Sequence, residues 1–116
     1  MASVIDRYYT AWTGGFDEAE LTSVLADDLD FEGPIAGKRR GSAGFIGGLR
    51  RFVEGLQAPI EVQQRIESNG GGAALYDAAM PEGRMRFAEF FQVSEGRIHA
   101  IRLLYDPNQY RALGGR

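Results

Sequence analysis

One segment, residues 85–93, constrains the fold of this chain more than any other. Its sequence, MRFAEFFQV, has aromatic and β-permissive residues, no proline or glycine, and turn-forming residues on both sides, which predicts a β-strand. Side chains alternate along a strand, so Phe87, Glu89 and Phe91 share one largely apolar face. A carboxylate between two phenylalanines is costly unless an arginine or a backbone donor pairs with it, or it is protonated. Glu89 is therefore a candidate functional group.

Composition excludes several classes of protein. The 116 residues suffice for one domain with a core, and 44% hydrophobic and 25% charged residues are typical of a globular chain. A net charge of −3, with no basic run longer than residues 38–40, argues against nucleic acid as a partner. Without cysteine and with one histidine, no disulfide or metal site is expected, and no motif indicates a cofactor. No signal-peptide core or membrane-spanning run is present, so we expect a cytoplasmic protein without a membrane partner.

Hydrophobic periodicity places helices before most of the strands. Ser3, Asp17 and Ser42 precede three segments with helical spacing of apolar residues, and each is a candidate N-cap. The remaining segments are predicted as a strand at 29–32, a loop at 35–41, strands at 60–67, 73–80, 85–93 and 97–106, and a short terminal helix or tail at 108–113. This order predicts an α+β fold, in which a cone-shaped, curved antiparallel sheet packs against three N-terminal helices and leaves a ligand-sized cavity. We expect a single domain spanning residues 1–116.

Large apolar side chains are expected either to line this cavity or to form plain core. The candidates for substrate binding are Trp12, Phe31, Ile35, Phe45, Leu49, Phe52, Tyr76, Phe87, Phe91, Ile101, Leu103 and Tyr105. One orientation depends on the turn after residue 80: an even number of turn residues points Tyr76 inwards, and an odd number points Asp77 inwards. The wholly apolar face that contains Tyr76 favours the first arrangement.

Three glycines interrupt the third predicted helix, at Gly44, Gly47 and Gly48. Each costs about 1 kcal/mol of helix stability relative to alanine. Close packing of another element or of a ligand would explain them, and so would a helix that tolerates substitution.

The last hairpin suggests a second polar group near Glu89. If residues 94–96 form a three-residue loop, Phe91 lies opposite His99, and His99 becomes a diagonal neighbour of Glu89. We therefore hypothesise that Glu89 and His99 form an acid–base pair beside a polar group of a ligand. The alternative is a histidine at the rim that is hydrogen-bonded to the backbone.

The order of elements resembles the nuclear transport factor 2-like superfamily, which includes the SnoaL-like cyclases and the ketosteroid isomerases. The resemblance covers nearly the whole chain, and its best segments are residues 4–8, 25–28 and 31–34 and the last two predicted strands, which end at residues 104–107. In ketosteroid isomerase, a tyrosine on the first helix and a protonated carboxylic acid on a later strand form an oxyanion hole. The resemblance implies these roles for Tyr8 and Glu89, although Tyr8 also suits plain core packing.

The resemblance also implies a missing group. The general base of ketosteroid isomerase is an aspartate before a proline on the first strand, and Gly33 occupies that position here. Glu32 is adjacent, but alternation along the strand points it away from the cavity. The limonene epoxide hydrolases, which share the fold, would need an arginine and a second acid where this chain has Phe87 and Leu103.

These observations favour a small-molecule enzyme in which Tyr8, Glu89 and His99 act on the oxygen of a carbonyl or hydroxyl group. The reaction would be isomerisation, cyclisation, dehydration or hydrolysis of an apolar substrate. Two alternatives remain: a non-catalytic binder of a small hydrophobic ligand, and a structural module with a vestigial cavity. Exposed Phe90 and Leu104 beside arginines on the other sheet face, together with the resemblance, imply a homodimer through that face.

Overall fold

The computed structural model describes residues 2–115, which contain four helices and six strands. In chain order they are α1 (Val4–Thr13), α2 (Glu18–Val24), β1 (Leu25–Gly33), β2 (Gly37–Arg40), α3 (Ser42–Glu54), β3 (Glu61–Ser68), β4 (Gly71–Met80), β5 (Gly83–Ser94), β6 (Arg97–Leu104) and α4 (Pro107–Ala112). The strands form one open sheet in the order β2-β1-β6-β5-β4-β3. The α+β prediction is confirmed. None of the described helices is long and apolar enough to cross a membrane.

Two of the three predicted N-caps form as expected. The Ser3 hydroxyl accepts a hydrogen bond from the Asp6 N–H at 3.0 Å, and the Asp6 carboxylate accepts one from the Ser3 N–H at 3.3 Å. The Asp17 carboxylate caps α2 by accepting one hydrogen bond, from the Glu20 N–H at 3.0 Å. The third prediction is wrong, because Ser42 is the first residue of α3 and Gly41 is its N-cap. The N-terminus of α3 therefore has no side-chain cap.

The first part of the sheet differs from the prediction. Strand β1 begins directly after α2 rather than at residue 29, and residues 37–40 form a strand instead of part of a loop. Because β2 is short, exposed and basic, it lacks the alternation that marks a strand in sequence. Its strand conformation depends on antiparallel pairing with β1, in which Phe31 faces Arg39 and Asp30 faces Arg40.

The sheet is mixed and not wholly antiparallel. Strand β1 runs parallel to β6, whereas the other neighbouring strands are antiparallel. Parallel neighbours cannot be joined by a tight turn. Here the connection between them passes through β2, α3 and the β3–β5 strands, so the sequence spacing alone does not show which strand β1 joins.

The turn between β5 and β6 corrects the predicted register. Glu95 and Gly96 have φ values of 54° and 74°, as expected for a two-residue type I′ turn, and Ser94 pairs with Arg97. A bulge then follows, because Val93 pairs with Ile98 while Gln92 pairs with Ala100. The predicted three-residue loop is wrong, and the strands are offset by two residues from the expected register.

Candidate functional site

A cavity of about 530 Å³ opens between α3, the β1–β2 hairpin and the inner face of the sheet. Its predicted lining residues are Phe31, Ile35, Phe45, Leu49, Phe52, Tyr76, Phe87, Leu103 and Tyr105, which all border it together with Glu89. Its other lining residues are Ala36, Arg39, Arg40, Gly41, Gly44, Gly48, Arg51 and Tyr110. Of these, the sequence had suggested a ligand contact for Gly44 and Gly48 alone. Pockets of 300–1,000 Å³ are typical of small-molecule sites. The cavity is thus large enough for a ligand and is mainly apolar.

Glu89 lies at the floor of the cavity, and two buried tyrosines of α1 hold its carboxyl from the core side. Its side chain is only 2% exposed. The Tyr9 hydroxyl donates to Oε1 at 2.7 Å, and the Tyr8 hydroxyl donates to Oε2 at 3.2 Å. We call Tyr8, Tyr9 and Glu89 the floor. Tyr9 was not among the predicted site residues. Its position beside Tyr8 is the signal that could have revealed it, because a buried tyrosine generally needs a hydrogen-bond partner.

Burial places the protonation of Glu89 near neutral pH. Removal of the carboxylate from water raises the pKa of Glu89 to about 7, and the hydrogen bonds from Tyr9 and Tyr8 partly oppose this rise. Burial, followed by the charge of Glu89, raises the pKa of Tyr8 well above its ordinary value, and Tyr9 shifts in the same direction. The phenols therefore remain neutral donors, while Glu89 can gain or lose a proton under physiological conditions.

Tyr76 points into the cavity, as favoured from the sequence. Met80 pairs with Gly83, so the turn contains two residues. The Tyr76 ring stacks on Phe87, with 5.1 Å between centroids, and its hydroxyl makes no hydrogen bond to the described chain. Burial and then the charge of Glu89 raise the pKa of Tyr76 well above its ordinary value. Tyr76 is thus a free, neutral donor in the same cavity as Glu89.

Several predicted site residues lie in the core instead of the cavity. Tyr8, Trp12, Phe91 and Ile101 are buried and do not line it. Helix α1 packs so closely on the sheet that the Tyr8 and Phe91 rings are 5.5 Å apart, and those of Trp12 and Tyr76 are 5.9 Å apart. These side chains fill the space that a ligand would need. Tyr8 therefore acts on Glu89 and does not face the cavity.

The structure contradicts the predicted pairing of Glu89 with His99. His99 is the extra residue of the β6 bulge and is exposed. The two-residue offset of the hairpin places Leu103 opposite Glu89 and Ile101 opposite Phe91. His99 does not line the cavity, so it is not an acid–base partner of Glu89.

No second carboxylate from the described residues borders the cavity. Phe31 faces inwards, whereas Glu32 forms an ion pair with Arg102, with 3.2 Å between Oε1 and Nε. This agrees with the predicted outward orientation of Glu32, and Gly33 supplies no proton-transfer group. Within residues 2–115, no group of three or more histidine, aspartate or glutamate side chains could hold a metal ion. Glu89 is therefore the acid or base that the described cavity offers to a ligand.

The opposite wall of the cavity carries arginines and glycines. Arg39 of β2 faces Phe31, and Arg51 of α3 has its guanidinium group 3.9 Å from where a Cβ of Gly48 would lie. A Cβ at Gly44 would meet no atom within 4 Å, which shows open space on this side of the helix. We call Arg39, Arg51 and Gly44 the rim. Two of the three glycines noted in the third predicted helix, Gly44 and Gly48, line the cavity. These glycines were the feature of the sequence that could have indicated a cavity wall on this helix.

The sequence matches the SnoaL-like domain family over residues 5–101. The chain belongs to the SnoaL-like family. No functionally curated protein shows significant similarity to this SnoaL-like protein.

Solved structures show the same fold at low identity. A protein from Kribbella flavida DSM 17836 has a TM-score of 0.84 at 23% identity, over 95% of this chain and 89% of that chain. An NTF2-like protein of unknown function from Cytophaga hutchinsonii ATCC 33406 has a TM-score of 0.77 at 17% identity, over 93% and 91%. Another Kribbella flavida protein, provisionally named a ketosteroid isomerase, has a TM-score of 0.74 at 17% identity, over 90% and 78%. The predicted family resemblance is confirmed by the match to the SnoaL-like domain, and the solved structures show the same fold.

Proposed function

We propose that this SnoaL-like protein is an acid/base enzyme that acts on a small, largely apolar molecule with a carbonyl or hydroxyl group. The observation that carries the proposal is the buried carboxyl of Glu89, which borders an apolar cavity and has a pKa of about 7. A group whose pKa lies near the working pH is suited to general acid or base catalysis. Isomerisation, cyclisation, dehydration and hydrolysis can all use such a group.

The catalytic roles proposed here differ from those expected from the sequence for Tyr8, Glu89 and His99. Glu89 would remove a proton from carbon beside the carbonyl and return it to the same or another atom. Tyr76 would donate a hydrogen bond to the carbonyl oxygen while negative charge develops there, since its hydroxyl has no partner in the described chain. Tyr8 and Tyr9 would be positioning residues because their hydroxyls hold the two carboxylate oxygens of Glu89. This arrangement uses neither His99 nor a group at Gly33.

A non-catalytic binder of a small hydrophobic ligand is the second candidate. The observation that favours it is the lack of a second carboxylate among the described residues that border the cavity, because many proton transfers between two atoms use two groups. A vestigial cavity filled by side chains is disfavoured by the volume of about 530 Å³.

Hydrogen–deuterium exchange tests the enzymatic proposal without knowledge of the natural substrate. A panel of apolar cyclic ketones would be incubated with the protein in D₂O, and loss of the α-proton followed by NMR. We expect exchange that increases with pH through about 7, because Glu89 must be ionised to accept a proton. Glu89→Gln should reduce the rate at least about 100-fold. Tyr76→Phe should reduce it roughly 10- to 100-fold.

Glu82→Gln is a matched control, because Glu82 is an exposed carboxylate in the β4–β5 turn outside the cavity. Its exchange rate should equal that of the wild type. Ketone binding without exchange in the wild type would support the non-catalytic binder. Exchange that survives in Glu89→Gln would remove Glu89 from the mechanism.

We also propose a homodimer through the outer face of the sheet. Ile66, Ala73 and Phe90 are neighbours across β3, β4 and β5 on this face. Leu75, Ala88 and Leu104 form the adjacent row. Ile66, Phe90 and Leu104 are 62%, 48% and 58% exposed, and such a contiguous apolar patch is typical of an interface. Light scattering at micromolar concentration should give twice the chain mass of 12.8 kDa, and a monomer would contradict the proposal.

A further inference from the structure

The arginines at the rim differ from most of those elsewhere in the described chain. Seven of the eight described arginines away from the cavity form ion pairs with carboxylates: Arg7, Arg50, Arg65, Arg84, Arg86, Arg97 and Arg102. Arg111 of α4 is the exception. Arg39 and Arg51 line the cavity, and neither has a carboxylate of the described chain within 4.0 Å. This protein has a net charge of −3, so carboxylates are abundant, yet none lies beside these two guanidinium groups.

Register shows which basic residues of β2 face the cavity. Arg39 is opposite Phe31, which lines the cavity. Lys38 and Arg40 are its neighbours on the strand, so their side chains take the other face. Lys38 is opposite Glu32 and Arg40 is opposite Asp30, and both of these carboxylates pair with Arg102 on that face. Arg40 still borders the cavity and, like Arg39 and Arg51, has no carboxylate of the described chain within 4.0 Å, whereas Lys38 does not border the cavity.

Arg51 approaches the cavity from the facing helix. Its guanidinium group lies beside Gly48, another lining residue. A larger side chain at position 48 would occupy the space next to this guanidinium group. Two guanidinium groups that face one cavity repel each other unless an anion lies between them. The uncapped N-terminus of α3, at Gly41, borders the same cavity and adds partial positive charge.

We propose that the cavity binds an apolar molecule that carries an anionic oxygen group, a carboxylate or a phosphate monoester, held at the rim by Arg39 and Arg51. Guanidinium groups bind such anions through paired, charge-assisted hydrogen bonds. The apolar body of the molecule would occupy the aromatic walls, and its carbonyl or hydroxyl group would reach Glu89 and Tyr76. This inference rests on the proposed function and adds the class of the substrate: an amphipathic anion instead of a neutral apolar compound.

Three probes of equal chain length test the inference by calorimetry on the full chain: decanoate, decyl phosphate and neutral decanamide, each below its aggregation concentration. We expect the wild type to bind at least one anion roughly tenfold more tightly than decanamide. Preference for decanoate or for decyl phosphate identifies the anionic group. Arg39→Gln and Arg51→Gln should each remove most of this preference while they leave decanamide binding unchanged. Lys38→Gln removes the same charge beside the cavity and should keep the preference.

The outcomes separate this inference from the proposed function. Equal affinity for the three probes, or the same loss in Lys38→Gln as in Arg39→Gln, would overturn the anion site while it leaves the enzymatic proposal standing. Anion preference in a protein that shows no ketone exchange would overturn the enzymatic proposal alone. If no probe binds, neither the anion site nor ligand binding in this cavity survives. Circular dichroism of each variant verifies that the fold is intact.

Discussion

The floor and the rim of the cavity handle charge in opposite ways. At the floor, one carboxyl is almost fully buried, and both of its oxygens accept hydrogen bonds from tyrosine hydroxyls. At the rim, Arg39 and Arg51 have no acidic partner in the described chain. A buried charge must be compensated by the protein itself, whereas an exposed guanidinium group can remain hydrated until a ligand arrives. The floor is therefore preorganised by the fold, and the rim depends on a ligand to complete it.

The largest expected difference between the floor and the rim is the effect of pH on stability, which comes from the floor. The pKa of Glu89 rises from its ordinary value of 4.5 to about 7 on folding, so the folded state binds more protons than the unfolded state between these values. Its contribution to stability is full below pH 4.5 and is lost as the pH rises through about 7. The loss corresponds to about 3 kcal/mol in the free energy of unfolding. Urea denaturation at a series of pH values measures it.

Glu89→Gln should remove this pH dependence, because an amide does not titrate. Glu20 and Asp77 do not interfere, since ion pairs with arginines lower the pKa of each carboxyl and move its effect below pH 4.5. The difference between wild type and variant isolates Glu89. Parallel stability curves for the two proteins would show that the floor carboxyl does not titrate in this range.

The two tyrosines of the floor should have unequal effects on Glu89. Each phenol donates to the carboxylate and so favours its charged form, and the bond from Tyr9 is shorter, at 2.7 Å against 3.2 Å for Tyr8. Tyr9→Phe should raise the pKa of Glu89 by roughly one unit, and Tyr8→Phe by less. Carbon-13 NMR of the labelled carboxyl reports the titration directly. A larger shift in Tyr8→Phe would reverse the ranking of the two hydrogen bonds.

The smallest effects on stability are expected at the glycines of α3. A Cβ at Gly44 or at Gly47 would meet no atom within 4 Å, and Gly44 lines the cavity whereas Gly47 does not. Leucine at either position should raise the free energy of unfolding by about 0.5–1 kcal/mol, because it forms helix better than glycine. Only Gly44→Leu should weaken decanamide binding, since its side chain enters the cavity. Equal weakening in Gly47→Leu would show that the helix, and not the open space, controls binding.

Sequence patterns predicted the features that depend on local chemistry. Alternation in residues 85–93 identified β5 and placed Glu89 on the buried face, and the caps at Ser3 and Asp17 formed as expected. The order of the predicted elements then indicated helices packed against a curved sheet. These features follow from side-chain period, capping hydrogen bonds and burial, which the sequence encodes within a few residues.

Tertiary structure alone decided which groups meet. His99 is exposed because it lies in a bulge of β6. Tyr8 was expected to contact a ligand, but the close packing of α1 on the sheet directs its hydroxyl to Glu89. The pairing of β2 with β1 brought Arg39 to the cavity from a segment that looked like a loop. Register, bulges and edge pairing depend on contacts between residues far apart in sequence, and a shift of one or two positions changes every neighbour across the sheet. The chain thus encodes its acid locally, whereas the partners of that acid are set by the packing of distant segments.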